Sequence, residues 1–154
     1  MTPTIRGVLT FALFALLVGA SFFAARFWLC QQSVYKRRVG PIDCFLQNGA
    51  CEQLVDGVPV RLHITPETIP LMQTLTLEVD VGDRVPSQVA VDIRGLNMDM
   101  GLNRTVLALS EEGVWRGETI LPVCSQRRME WEAAVQVEID ERLEVPFLFS
   151  TVRP

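Results

Sequence analysis

Residues 7–25, GVLTFALFALLVGASFFAA, carry no charge and almost no polar side chain, and no other stretch limits so strongly what the chain can fold into. Wound as a helix rising about 1.5 Å per residue, this run spans roughly 28 Å, close to the hydrocarbon thickness of a bilayer. Carrying the helix on through Arg26, Phe27, Trp28 and Leu29 adds an interfacial end. There Trp28 sits at headgroup level and Arg26 snorkels towards it. The expectation is a short tail at 1–6, a single-pass transmembrane helix at 7–29 and a basic juxtamembrane linker at 30–41. A cleaved signal peptide is the rival, with Arg6 as its charged start and Val18-Gly19-Ala20 as a small-residue cleavage site. The run is longer than a usual signal core, and Phe22 and Phe23 continue it past that cut. A lipoprotein anchor at Cys30 is disfavoured by the bulk of Trp28 and Leu29. Ala15/Gly19 and Ala20/Ala24 form small pairs four apart that suit packing against another helix.

Charge divides the chain. Residues 1–38 hold Arg6, Arg26, Lys36, Arg37 and Arg38 and no acid, a net +5, while the rest sets nine arginines against all eighteen acids, a net −9. An acidic domain is repelled by nucleic acid, so DNA and RNA are not expected partners. Lys36, Arg37 and Arg38 read instead as a collar on phospholipid headgroups, making the bilayer itself a partner. By the positive-inside rule that collar places the domain in the cytoplasm. The cysteines argue the other way. Cys44 and Cys51 flank an Asn48-Gly49 turn at a separation that one small hairpin can bridge, which favours an oxidising compartment. We take the extracytoplasmic side as the expectation.

Beyond Gly40 and Pro41 the hydrophobic period changes to two. Short strands are predicted at 44–46 and 51–55, then at 58–64, a stretch stopped by Pro66 and Pro70. Leu75, Leu77, Val79 and Val81 alternate with polar neighbours, as do Val89, Val91 and Ile93. Further strands are predicted over 104–109, 114–121, 131–139 and 145–149. About eight strands with turns at this spacing and no amphipathic helix outside the membrane imply an all-β, antiparallel two-sheet sandwich over 42–154. Trp115 and Trp131 are expected in its core.

No catalytic constellation emerges, and the chain is not expected to be an enzyme. Its one histidine, His63, lies between Leu62 and Ile64 and points away from their face. No nucleophile elbow, phosphate-cradling loop or paired-cysteine zinc spacing accompanies it. The carboxylates scatter over strand faces and are expected to be solvated. What remains is sulfur. Met98 and Met100 flank Asp99 in a loop after Gly95, and extended backbone points both thioethers to one side. Cys124 and Met129 bracket a second loop, which a sandwich can bring to the same end. Soft thioether and thiolate donors select Cu(I), so Met98, Met100, Cys124 and Met129 are the candidate metal ligands. The competing reading is that the methionines plug the end of the core. Four cysteines allow three complete pairings. A Cys44–Cys51 disulfide with Cys30 and Cys124 free is preferred, although a two-residue Asn48-Gly49 turn would set Leu46 opposite Cys51, so the bridge needs a wider loop.

An N-terminal anchor, the Met98-Asp99-Met100-Gly101 loop and the Gly113-Val114-Trp115-Arg116-Gly117 strand together resemble the FixH/YtkA-like domains, over about residues 70–140 plus the anchor. The resemblance implies an immunoglobulin-like sandwich in the periplasm, tethered to the bacterial inner membrane. It also implies an accessory role near copper supply to a respiratory oxidase, with that membrane complex as partner. The chain departs from the pattern by adding Cys44, Cys51 and Cys124 and by lacking a histidine beside the methionines. The alternative is a metal-free interaction or structural module of a membrane complex.

Overall fold

The structure, a computed structural model, describes residues 3–31, 35–37 and 44–153, with helix side chains from 13 to 27. Arg38, Gly40 and Pro41 and the side chains of Arg6, Trp28 and Cys30 lie outside the described residues. The chain divides into two compact units, 1–34 and 35–154.

The first unit is one helix, α1, Pro3–Gln31. From 13 to 27 it is polar only at Ser21 and Arg26, and the Ser21 hydroxyl turns back to the Val18 carbonyl at 2.9 Å. Leu13, Phe14, Leu17, Phe22, Phe23 and Phe27 are all exposed. Within 13–27, the helix residues whose side chains are described, no stretch is long and apolar enough to cross a membrane.

The second unit is a two-sheet β-sandwich. Its strands are β1 (Lys36–Arg37), β2 (Cys51–Val55), β3 (Val58–Thr65), β4 (Thr74–Asp80), β5 (Gln88–Gly95), β6 (Arg104–Val106), β7 (Ala108–Leu109), β8 (Trp115–Ile120), β9 (Arg128–Glu138) and β10 (Arg142–Val152). The first sheet runs β1-β10-β9-β5-β6 and the second β2-β3-β4-β8-β7. Alternation puts Val60, Leu62 and Ile64 of β3 and Leu75, Leu77 and Val79 of β4 inward. They meet Val135 and Val137 of β9 and Val145, Phe147 and Phe149 of β10 in one core. Trp131 is fully buried there, stacked 6.2 Å from Phe149 with its indole N–H donated to Thr151 Oγ1 at 2.8 Å. Trp115 only packs against the core's margin. Asp56 and Gly57, at φ 50° and 79°, form the tight turn that sets Val55 opposite Val58.

The compact unit starts at Tyr35, and two strand expectations are corrected below. Lys36 and Arg37 of the lipid collar form an edge strand, paired parallel with Leu143 and Glu144 of β10. The strand predicted over 104–109 breaks at buried Leu107, so that β6 belongs to the first sheet and β7 to the second. The chain thereby crosses between the layers at their edge. The strand predicted at 44–46 is instead a bridge from Phe45 to Leu148 of β10 followed by a 3-10 turn, Leu46–Asn48.

That turn supplies the wider loop the cysteines need. Cys44 and Cys51 are disulfide-bonded with their Cα atoms 5.6 Å apart. Cys44 precedes the bridge to the first sheet and Cys51 opens β2 of the second, so the bond staples the two layers together.

Candidate functional site: the methionine loop and its cavity

β5 ends at Gly95, and the loop that follows folds back on it. A Cβ at Gly95 would lie 2.2 Å from the Met98 carbonyl oxygen, too close for any side chain. The same position is 3.0 Å from the Met129 methyl and 3.1 Å from Met100 Cγ, so three methionines surround this one glycine. Asn97 stitches the loop to the start of β9, donating to the Arg128 carbonyl at 3.0 Å and accepting from the Glu130 N–H at 3.1 Å. Asp99 Oδ1 accepts the Gly101 N–H at 2.9 Å, closing the turn between the methionines and the next strand.

The two sulfur-bearing loops do meet. The Ser125 hydroxyl donates to Met98 Sδ at 3.8 Å. Met98 is 37% exposed, Met100 half-buried, and Met129 packs inside the core at 2%. Cys124 is a half-buried free thiol whose Sγ–H faces the Gln126 carbonyl at 3.6 Å. Among the described residues no group of three His, Cys, Asp or Glu is placed to hold a metal ion; a soft-metal site here would need thioethers beside the Cys124 thiol. His63 points outward as expected, with Nδ1 3.4 Å from Glu78.

Beside the loop lies an open cavity of about 600 Å³, lined by Asp92, Arg94, Leu96, Met98, Met100 and Leu102 among others. Its floor is the outer face of the first sheet, where the carboxylates are not solvated as the alternation predicts. Asp92, Glu132 and Glu144 are 6%, 5% and 8% exposed. Guanidinium groups cover them. Arg94 donates Nε to Asp92 Oδ2 at 2.8 Å and forks onto both Glu144 oxygens at 3.2 and 3.0 Å. Arg37, arriving on β1, forks onto Glu132 and also lies 3.7 Å from Glu144. Burial pushes the Glu144 carboxyl up, but hydrogen bonds from Arg94 and Gln136 and the charges of Arg94 and Arg37 outweigh it and hold it below the usual range. The bond to Glu144 likewise raises the Arg94 guanidinium. Nothing local in the sequence marks this cluster, because Arg37 and Glu132 are 95 residues apart.

The class of protein defined by this fold is a small all-β sandwich following one helix. Comparison with known protein families, curated proteins and solved structures finds no match for the chain.

Proposed function

We propose that the chain is a membrane-anchored accessory protein that handles Cu(I) through its methionine loop, with a respiratory oxidase as the complex it serves. In this reading α1 spans the bacterial inner membrane as a single pass, and the sandwich is an immunoglobulin-like domain in the periplasm. The uncharged run at 7–25 and an apolar helix with no polar stripe support the anchor. The Cys44–Cys51 disulfide supports the oxidising side. The FixH/YtkA-like loop and strand motifs suggest the role in copper supply.

One observation carries the copper reading: Met98 and Met100 stand on a solvent-accessible loop joined to the loop of the free thiol Cys124. Thioethers bind Cu(I) and reject harder ions, and Met98 and Met100 could yield the ion to a partner because neither is sealed in the core. The Cys124 thiol is a third soft donor on the neighbouring loop, whereas Met129 is committed to packing. The full chain in detergent micelles should retain one Cu(I) against a chromophoric chelator, and Met98→Leu/Met100→Leu should lose it. Retention unchanged by that double substitution removes the site.

A second reading, a metal-free docking module, is favoured by Leu102 and Leu96, which flank the same loop and are 84% and 55% exposed. It expects co-purification with a membrane complex whether or not copper is present. A chain recovered alone from gently solubilised membranes counts against it.

A further inference from the structure

A second cleft, of about 590 Å³, opens between the loop that joins β3 to β4 and the end of β10. It shares no lining residue with the cavity beside the methionine loop. Its walls are apolar. Ile69 is buried and Leu71 half-buried, while Met72, Val123 and Val152 are 64%, 46% and 56% exposed. The loop is also strained, with Ile69 and Met72 both in the left-handed region at φ 45° and 58°. That region is disfavoured for any side chain and most of all for a β-branched one. The Ile69 N–H donates to the Pro66 carbonyl and the Met72 N–H to the Leu121 carbonyl, each at 2.9 Å, which holds the wall in place. Backbone kept in so sparse a region recurs at ligand clamps.

Among the described residues Arg153 is the one charged group in the lining. It is exposed, with its backbone N–H tied to the Arg127 carbonyl at 2.9 Å. Of its guanidinium only Nη1 is engaged, with the Cys124 carbonyl at 3.4 Å. The nearby carboxylates are turned elsewhere. Glu67, next to Thr68 in the chain, lies 4.0 Å from His63, and Glu130 is held by Arg128 at 2.6 Å. Two further lining groups have donors to spare among the described residues. The Ser150 hydroxyl accepts from Gln47 Nε2 at 3.0 Å and Arg128 Nη2 at 3.1 Å, with no acceptor for its own hydrogen. The Gln73 amide is exposed and unbonded. Apolar walls concentrate the field of a single cation, so this cleft attracts an anion although the domain as a whole is acidic.

We infer that the cleft binds a free alkyl carboxylate, its head forked onto Arg153 and its chain lying against Met72, Val123 and Val152. A volume of about 590 Å³ is that of a small-molecule site, mostly apolar with a few placed polar groups. The planar guanidinium matches a carboxylate in shape, and one cation balances one carboxylate charge. A phosphate ester brings about −1.5 to −2, and the lining holds no second cation to meet it.

The test uses the full chain in detergent micelles with 13C-methyl methionine, titrated with hexanoate, hexanol and hexyl phosphate. Hexanoate should shift the Met72 methyl saturably and leave the Met98 and Met100 methyls in place. Hexanol should bind at least about tenfold more weakly because it brings no charge to the guanidinium, and hexyl phosphate should also bind more weakly than hexanoate. Arg153→Gln should lower hexanoate affinity about tenfold, whereas Arg127→Gln, outside the lining, should not change it. Met98→Leu/Met100→Leu should keep full hexanoate affinity, so the copper reading and this one fail separately. Equal binding of hexanol, tighter binding of hexyl phosphate, no saturable Met72 shift, or full affinity in Arg153→Gln would overturn the proposal. Should Arg153→Gln fail to fold, the comparison of anion with alcohol decides alone.

Discussion

The outer faces of the two sheets use the same residues to opposite ends. On the second sheet Arg61 pairs with Glu52 at 2.9 Å with both side chains about half exposed, and Arg116 bonds Glu78 at 2.7 Å and Glu112 at 2.8 Å. These are surface pairs, screened by water and worth little. On the first sheet the carboxylates of Asp92, Glu132 and Glu144 lie under Arg37 and Arg94 and are almost fully covered. Between the covered rows sit Ala90 and Ala134, themselves buried. The difference teaches that an alternating polar row on a strand is not by itself a solvated row. What decides is whether another part of the chain comes to lie on it.

The largest expected effect tests that contrast directly. Arg94→Met leaves Asp92 and Glu144 buried without their main partner and should cost roughly 2–4 kcal/mol in urea unfolding. That range is set below the value for a fully buried pair because the Arg94 side chain is 39% exposed. The matched Arg116→Met on the other sheet should leave the melting temperature unchanged; equal losses from the two substitutions would abolish the distinction between the faces.

Next comes the staple on the strap between β1 and β2. Cys44→Ser/Cys51→Ser opens a short loop and should cost roughly 2–3 kcal/mol. It should also increase hydrogen exchange at Phe45 and Leu46 beside β10, while the amides of β3 and β4 change only with global stability. Uniform loss of protection would show that the bond merely restrains the unfolded chain.

The smallest effect is in the acid limb of the stability curve. Glu144 and Glu78 are both held below the ordinary carboxyl value of 4.5, Glu144 chiefly by Arg94 against burial, Glu78 by Arg116 first. A carboxyl lowered on folding stabilises the native state above its unfolded value, and that contribution disappears as pH falls through the folded value. Stability should therefore decline below about pH 4.5. High salt should erase the share removed by Glu78→Gln, on the exposed face, and spare the share removed by Glu144→Gln. If salt abolishes both, the first face is as wet as the second.

Much of the fold is legible in local pattern. The period of two at 58–64, 75–81 and 131–139 names the core residues Leu62, Leu77, Val135 and Val137 directly. The spacing of Cys44 and Cys51 about a turn anticipates their bond. The site is less legible. Met98-Asp99-Met100 stands out as a loop, but neither the approach of Ser125 to Met98 nor the gathering of Met100 and Met129 about Gly95 follows from spacing. Each joins segments about thirty residues apart and depends on how β5 and β9 pair. Asp92 looked like any outward strand carboxylate, and nothing in its neighbours marks its oxygen as enclosed and idle.

By itself the sequence determined a helix built on the charge-free run 7–25, an alternating β domain of net −9 and a set of inward apolar residues, because periodicity and hydropathy act between neighbours. Only the tertiary structure decided that 104–109 divides between two sheets, that Lys36 and Arg37 serve the sandwich as an edge strand, and that three carboxylates are covered. These outcomes depend on contacts between distant segments. The free energy of a buried charge is set by whatever cation the fold brings beside it, and Arg37 and Arg94 reach Glu132 and Glu144 only once the strands have paired.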